Sequence, residues 1–213
     1  MISFHGSKAI KKKYLARVEA HRKADNLIRG EGWTGNKGCA VGCTLEAYDH
    51  KLYETELGIP AWLAHLEDRL YEGMSVEKSK QWPGLFLKAI PVGVNLETVK
   101  NKFLVITLKL VLKEFDHERF PQLTIVIESV VKILKNKKSS SQDLSVARNN
   151  AIGVKNQFWR EYSAAYAASA AYAAYAADSA DSAAYAAAAD SAAKVIMYDK
   201  LASELLKLLK KAT

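Results

Sequence analysis

Residues 163–193 read SAAYAASAAYAAYAADSADSAAYAAAADSAA. Alanine loses no side-chain entropy in a helix, so the composition predicts helix rather than coil. Tyr166, Ser169, Tyr172, Tyr175, Asp178 and Asp181 each precede two small residues, a repeat of three. A helix turns about 100° per residue, so each repeat falls roughly 60° short of a full turn. The larger side chains therefore spiral around the axis. They form neither an amphipathic stripe nor a heptad seam.

Such a rod has small side chains that admit a close backbone neighbour. Its tyrosines can lie flat on that neighbour, with the hydroxyls reaching water or a carbonyl. Packing or self-association is the expected role, giving a homo-oligomer through the Ala-rich helix. Two other readings stay open: binding to a flat lattice such as ice, and repeat expansion without a selected function. The first is disfavoured because the polar residues do not share a face. A straight helix from Lys155 to Lys211 would run about 85 Å. A compact chain of this size has a radius of gyration of about 17 Å. The helix must break, with Gly153 and Lys194 as joints, or project and pair with another copy.

The rest of the chain shows helical spacing as well. From Ser7 to Ile28 the positions Ile10, Tyr14, Val18, His21, Ala24 and Ile28 predict one helix, with Ser7 as N-cap and Gly30 as stop. After the loop GEGWTGNKG, residues 39–58 return to helical spacing. Pro60 suits the first turn of a helix holding Trp62, Leu63, Leu66 and Leu70 on one face, ended by Gly73. The stretch KQWPGLFLKAI predicts a short helix interrupted at Pro83. FLVITLKLVL is rich in β-branched residues. It lies within a run of about twenty residues without a turn residue, too long for a strand, and is expected to be helix. A stripe of Leu123, Ile127, Val130, Val131 and Leu134 follows. A final amphipathic helix carries Ile196, Leu201, Leu205, Leu208 and Leu209 on one side. No segment alternates with period two between turns, so the expected class is all-α, a helical bundle. The expected division is a helical body over 1–140 and a helical C-terminal region over 141–213.

The 213 residues carry a net charge of +8. Lys8, Lys11, Lys12, Lys13, Arg17, Arg22, Lys23 and Arg29 stand against only Glu19 and Asp25. A second basic stretch holds Lys132, Lys135, Lys137, Lys138, Arg148, Lys155 and Arg160 against Asp143. These patches admit nucleic-acid binding. No nucleic-acid motif accompanies them, which favours solvated helix faces as their explanation. The opening MISFHGSKAIKKKY has no apolar run behind its charges, so no secretory signal is expected. No membrane span is expected either, since Ser, Tyr and Asp make the Ala-rich segment too polar. The expected location is the cytoplasm, where two cysteines do not form a disulfide framework.

The residues most suggestive of chemistry lie in GNKGCAVGCTLEAYDHKLYETELGIP. Cys39 and Cys43 are four apart and would share a helix face. A cysteine at a helix start has its thiolate stabilised by unpaired N–H groups. Three readings stay open. Cys39 is a nucleophile with His50, His21 or His65 as base and Glu54 orienting the histidine. Alternatively Cys39, Cys43, His50 and His65 hold a metal, most naturally zinc, although the spacing matches no standard zinc pattern. In the third, both cysteines are small buried hydrophobes. The glycine-rich loop lacks the P-loop spacing.

HGSKAIKKKYLARVEAHRKAD, GNKGCAVGCT, YETELGIPAWLAHLED and LYEGM resemble a group of uncharacterised proteins from bacteria and their phages. Some members carry similar Ala-rich repeats near the C-terminus. The resemblance covers about the first 95 residues and the style of the tail. It implies no activity, and draws interest to His5, His21, Cys39, Cys43 and His50 without assigning roles.

Overall fold

The computed structural model describes residues 1–113, 118, 121–136, 138–161 and 191–213, the side chains of 155–161 and 191–194 excepted. The described residues form nine α-helices, one short 3-10 turn at Ser3–Gly6 and no strand. Two isolated bridges, Leu27 with Gly38 and Trp33 with Gly38, are their only β-type pairings. The fold is an all-α bundle, as the spacing predicts. The run FLVITLKLVL lies in helix.

Two compact units divide the chain. The first comprises Met1–Val99 and Tyr198–Thr213. Its helices are α1 (Lys8–Lys23), α2 (Ala40–Leu45), α3 (Leu52–Leu57), α4 (Ala61–Gly73) and α5 (Val76–Ala89). α1, α2, α4 and α5 pack on one another, and α3 lies against α4 and the N-terminal 3-10 turn. The second unit is Lys100–Met197. In it α7 (Pro121–Lys135) packs on α8 (Ser141–Glu161). Helices α6 (Glu97–Leu112) and α9 (Ser191–Lys210) each have residues in both units. Except for Ser191–Ala193, which begin α9, the alanine repeat lies outside the described residues, and so do the packing and self-association expected of it.

Several boundaries depart from the pattern read in the sequence. Ser7 does cap α1, accepting from the Ile10 amide. The helix, however, ends at Lys23, and Asp25 turns the chain with a φ of 53°. Residues 39–58 make two short helices rather than one. Glu46 adopts the left-handed conformation and closes α2, and the chain runs through a turn before α3. Periodicity alone does not register such a break, because the apolar positions of α2 and α3 both face the core. α5 passes through Pro83 without a break. Burial of Trp82, Pro83, Phe86 and Leu87 holds the helix despite the missing amide. Gly153 likewise sits inside α8 and is no joint. In α7 the predicted stripe Leu123, Ile127, Val130, Val131 and Leu134 is buried.

The C-terminal segment of α9 completes the core of the first unit. Leu201, Leu205 and Leu209 are buried, and so is Tyr198. Ile196, expected on the same stripe, is 59% exposed. Tyr198 takes the inward position instead, and its ring lies against the backbone of Gly73. Lys78 on α5 pairs with Asp199 at 2.5 Å. The N-terminus is tied in similarly. Ser3 donates to the Pro91 carbonyl at 2.6 Å, and its hydroxyl accepts from the Val94 amide at 3.1 Å.

Gly73 and Gly84 offer a matched test of this packing. A Cβ at Gly73 would run into the buried Tyr198 ring, whereas no described atom lies within 4 Å of a Cβ at Gly84. Gly73→Ala is expected to cost about 1–3 kcal/mol through overpacking. Gly84→Ala is expected to be neutral or stabilising by up to about 1 kcal/mol, since a mid-helix glycine disfavours helix. Urea unfolding of the two variants measures both, and equal effects would contradict the packing of Tyr198 on α4.

Candidate functional site

The site is built by a glycine-lined approach of backbone to backbone. The loop after α1 returns across the start of α2, and the Gly32 carbonyl lies against Gly38 and Gly42. A Cβ at either position would run into that oxygen. These two glycines of GNKGCAVGC therefore have a packing reason. Cys39 donates its amide to the Glu31 carbonyl at 2.7 Å and caps α2, with its sulfur accepting weakly from the Gly42 amide at 3.5 Å.

This docking faces Cys39 toward α4. Asp68 and Glu72 stand four apart on α4 and share a face. One ligand atom from each of Cys39, Asp68 and Glu72 lies within 4.8 Å of the other two. Cys39 is 2% exposed and Asp68 8%. Asp68 Oδ2 accepts from the Tyr48 hydroxyl at 3.1 Å and from His50 Nε2 at 3.2 Å. A carboxylate only accepts, so His50 carries its proton on Nε2 in this bond. Among the described residues, Asp68 Oδ1 is buried without a hydrogen-bond partner. Glu72 is anchored from the loop side, where its two oxygens accept from the Gly30 amide at 3.1 and 2.9 Å.

The electrostatics follow from these contacts. Burial pushes Asp68 up, but bonds from His50, Cys39 and Tyr48 together hold its carboxyl below the ordinary value. Burial, and then the charge of Asp68, push the Cys39 thiol well above its usual range. The Gly42 and Val41 amides pull the other way and are outweighed. The thiolate stabilisation expected at a helix start is thus present but overridden. Burial raises Glu72, the Gly30 bond opposes it, and the nearby Asp68 raises it further. Tyr48 is pushed up to about 12 by burial and by Asp68.

Behind the cluster sits Glu67, fully buried, with Oε2 accepting from the Tyr53 hydroxyl at 2.6 Å. Oε1 has no partner. Burial keeps this carboxyl protonated far above its ordinary range. The Tyr71 hydroxyl is also buried and has no partner among the described residues, and both cysteines and Glu72 act on it electrostatically.

The residues singled out from the sequence are distributed as follows. Cys39 belongs to the cluster, and His50 supports it through Asp68. His65 stacks on His50, with ring centroids 3.9 Å apart. Cys43 donates to the carbonyls of Gly38 at 3.4 Å and Asn26 at 3.5 Å, and burial raises it to about 11. Glu54 accepts from the Ala61 amide at 3.0 Å and so ties α3 to the start of α4. His21 faces Glu46 at 3.4 Å and meets Trp33 edge-on. His5 contacts the Thr55 carbonyl at 3.0 Å. Asp68 and Glu72 were not singled out by sequence reasoning. The available signal was two carboxylates four apart on the predicted helix HLEDRLYEG.

Two expectations follow. With the thiol held protonated and buried, iodoacetamide at neutral pH should label Cys39 at least about tenfold more slowly in native protein than in denaturant. Equal rates would contradict the packing. Glu67 gives the second. Below the ordinary glutamate value of about 4.3 both folded and unfolded chains hold its proton. As pH rises through that value the unfolded chain ionises first, so this group withdraws stability at about 1.4 kcal/mol per pH unit. Glu67→Gln keeps the shape without the charge. Urea unfolding at about pH 5 and pH 7 should show a weaker loss of stability with rising pH in the variant, and an unchanged slope would contradict the burial. No protein-family model, curated protein or solved structure matches the chain.

Proposed function

We propose that the first unit is a metal-binding module in which Cys39, Asp68 and Glu72 hold a divalent cation of the zinc type. The observation that carries this reading is the convergence of three ligand atoms within 4.8 Å, one of them on a carboxylate with a buried, unpartnered oxygen. Burying an ionised carboxylate with an unsatisfied oxygen is costly, and a cation would satisfy it. Asp68 and Glu72 also repel each other on one helix face, which a shared cation would relieve.

The donor set points to zinc. Thiolate ligands select zinc, copper(I) or iron over magnesium and calcium, and carboxylates harden the set toward the borderline case. Zinc bonds of about 2.3 Å to sulfur and 2.0–2.2 Å to oxygen place neighbouring ligand atoms roughly 3–4 Å apart. The cluster needs only a small closure to reach that spacing. His50 and Tyr48 would fix the orientation of Asp68 from outside. Gly30 would do the same for Glu72. Three protein ligands leave one tetrahedral position for water or an incoming group, as in catalytic rather than structural zinc sites.

Titration calorimetry with zinc on the purified full chain tests the reading. Binding near one equivalent is expected. Cys39→Ser and Glu72→Gln should each weaken it at least about tenfold, while Cys43→Ser should leave it within about threefold. Cobalt loading should give a thiolate-to-metal absorption band that Cys39→Ser removes. Binding that survives Cys39→Ser, or no binding, would overturn the proposal.

A further inference from the structure

A concavity lies apart from the cysteine cluster, between α1 and α5. It is a shallow, open groove of about 890 Å³. Its floor is apolar, formed by Leu15, Ala16, Gly84 and Leu85. Leu85 is 45% exposed. The rim is cationic, with five basic side chains and one carboxylate lining the groove. That carboxylate, Glu19, is already held by Arg22 at 2.7 Å. Lys11 is engaged too, its ammonium donating to the carbonyls of Lys88 and Ile90. Lys8, Lys12 and Lys88 are exposed.

Gly84 adds an independent observation. It lies inside a helix of 14 residues, where glycine costs about 1 kcal/mol relative to alanine. No described atom lies within 4 Å of where its Cβ would be. The described packing therefore gives no reason for a glycine there. Close approach of another backbone does, and the absent side chain opens on the floor of the groove.

We propose that this groove receives an acidic amphipathic helix of another protein. The partner's small apolar face would lie on Leu15, Gly84 and Leu85, and its flanking carboxylates would meet Lys8, Lys12 and Lys88. Charge complementarity fixes the sign of the partner, and the floor fixes its class. Nucleic acid would find the cations, but the groove has no aromatic side chain for a base to stack on, and its leucines would face phosphates.

The test uses the full chain and three fluorescent probes. One is a synthetic helix of about 20 residues with an alanine–leucine stripe flanked by glutamates. The second is the same composition scrambled to remove the stripe. The third is a DNA duplex of about 20 base pairs. The striped peptide is expected to bind saturably, and the scrambled one at least about tenfold more weakly. Gly84→Leu, Leu85→Glu and the double variant Lys12→Glu/Lys88→Glu should each weaken the striped peptide by about tenfold or more. Far-ultraviolet circular dichroism checks that the variants fold. Gly84→Ala supplies a readout free of folding defects, since it should retain or raise stability while still weakening the peptide. Equal binding of both peptides would overturn the proposal. So would insensitivity to Gly84 and Leu85, DNA binding in place of the peptide, or no peptide binding at all.

Discussion

Two adjacent carboxyl groups on α4, Glu67 and Asp68, are drawn into the interior of the first unit, and their surroundings are arranged around that burial. The two groups resolve it in opposite ways. Glu67 sits among Tyr53, Trp82 and the core and keeps its proton. Asp68 stays ionised because a hydroxyl, an imidazole and a thiol all turn toward it. A pair of neighbours so divided is an unusual use of one helix turn. Two buried charges side by side would repel, and two neutral acids would leave the donors around Asp68 without a strong acceptor. The remaining orphan oxygen on Asp68 is the part of this arrangement that the described residues leave incomplete.

The glycines of the preceding loop make the arrangement reachable. A side chain at Gly38 or Gly42 would lift the loop off α2. Cys39 would then lose its amide bonds to Glu31 and Gly32, and Glu72 its bond to Gly30. The loop and the helix α4 thus hold one another through Glu72, and the thiol is delivered to the carboxylates by backbone fit rather than by its own bonds. His65 stacks on His50, which in turn bonds Asp68. α9 closes the same unit through three leucines and Tyr198, whose ring lies against Gly73 beside Glu72.

Much of the fold was legible because burial imposes the helical period. The stripe of α7 was readable from spacing, the N-cap Ser7 from its residue type, and the helical state of α6 from the length of its run without a turn residue. Breaks were not, because a left-handed residue such as Glu46 leaves no apolar signature, and the stop at Lys23 depends on Asp25 turning back. Pro83 misled in the other direction. Core burial of its neighbours outweighs one lost hydrogen bond, which a local rule cannot weigh. At the candidate cluster, the glycine–cysteine stretch supplies Cys39, and residue type had drawn attention to Cys39 and His50. Asp68 and Glu72 were passed over because acids on a predicted helix ordinarily face solvent, and their burial is set by tertiary packing. The tail repeat was the most conspicuous feature of the sequence, and its central residues lie outside those described.

The most direct measurement is anomalous diffraction at the zinc edge from crystals of the full chain grown with zinc. A single strong peak is expected within bonding distance of Cys39 Sγ and of one oxygen each from Asp68 and Glu72, at about 2.3 Å and 2.0–2.2 Å. A peak at Cys43 or elsewhere with this cluster unoccupied, or no peak at all, would contradict a metal at the meeting of α2 and α4.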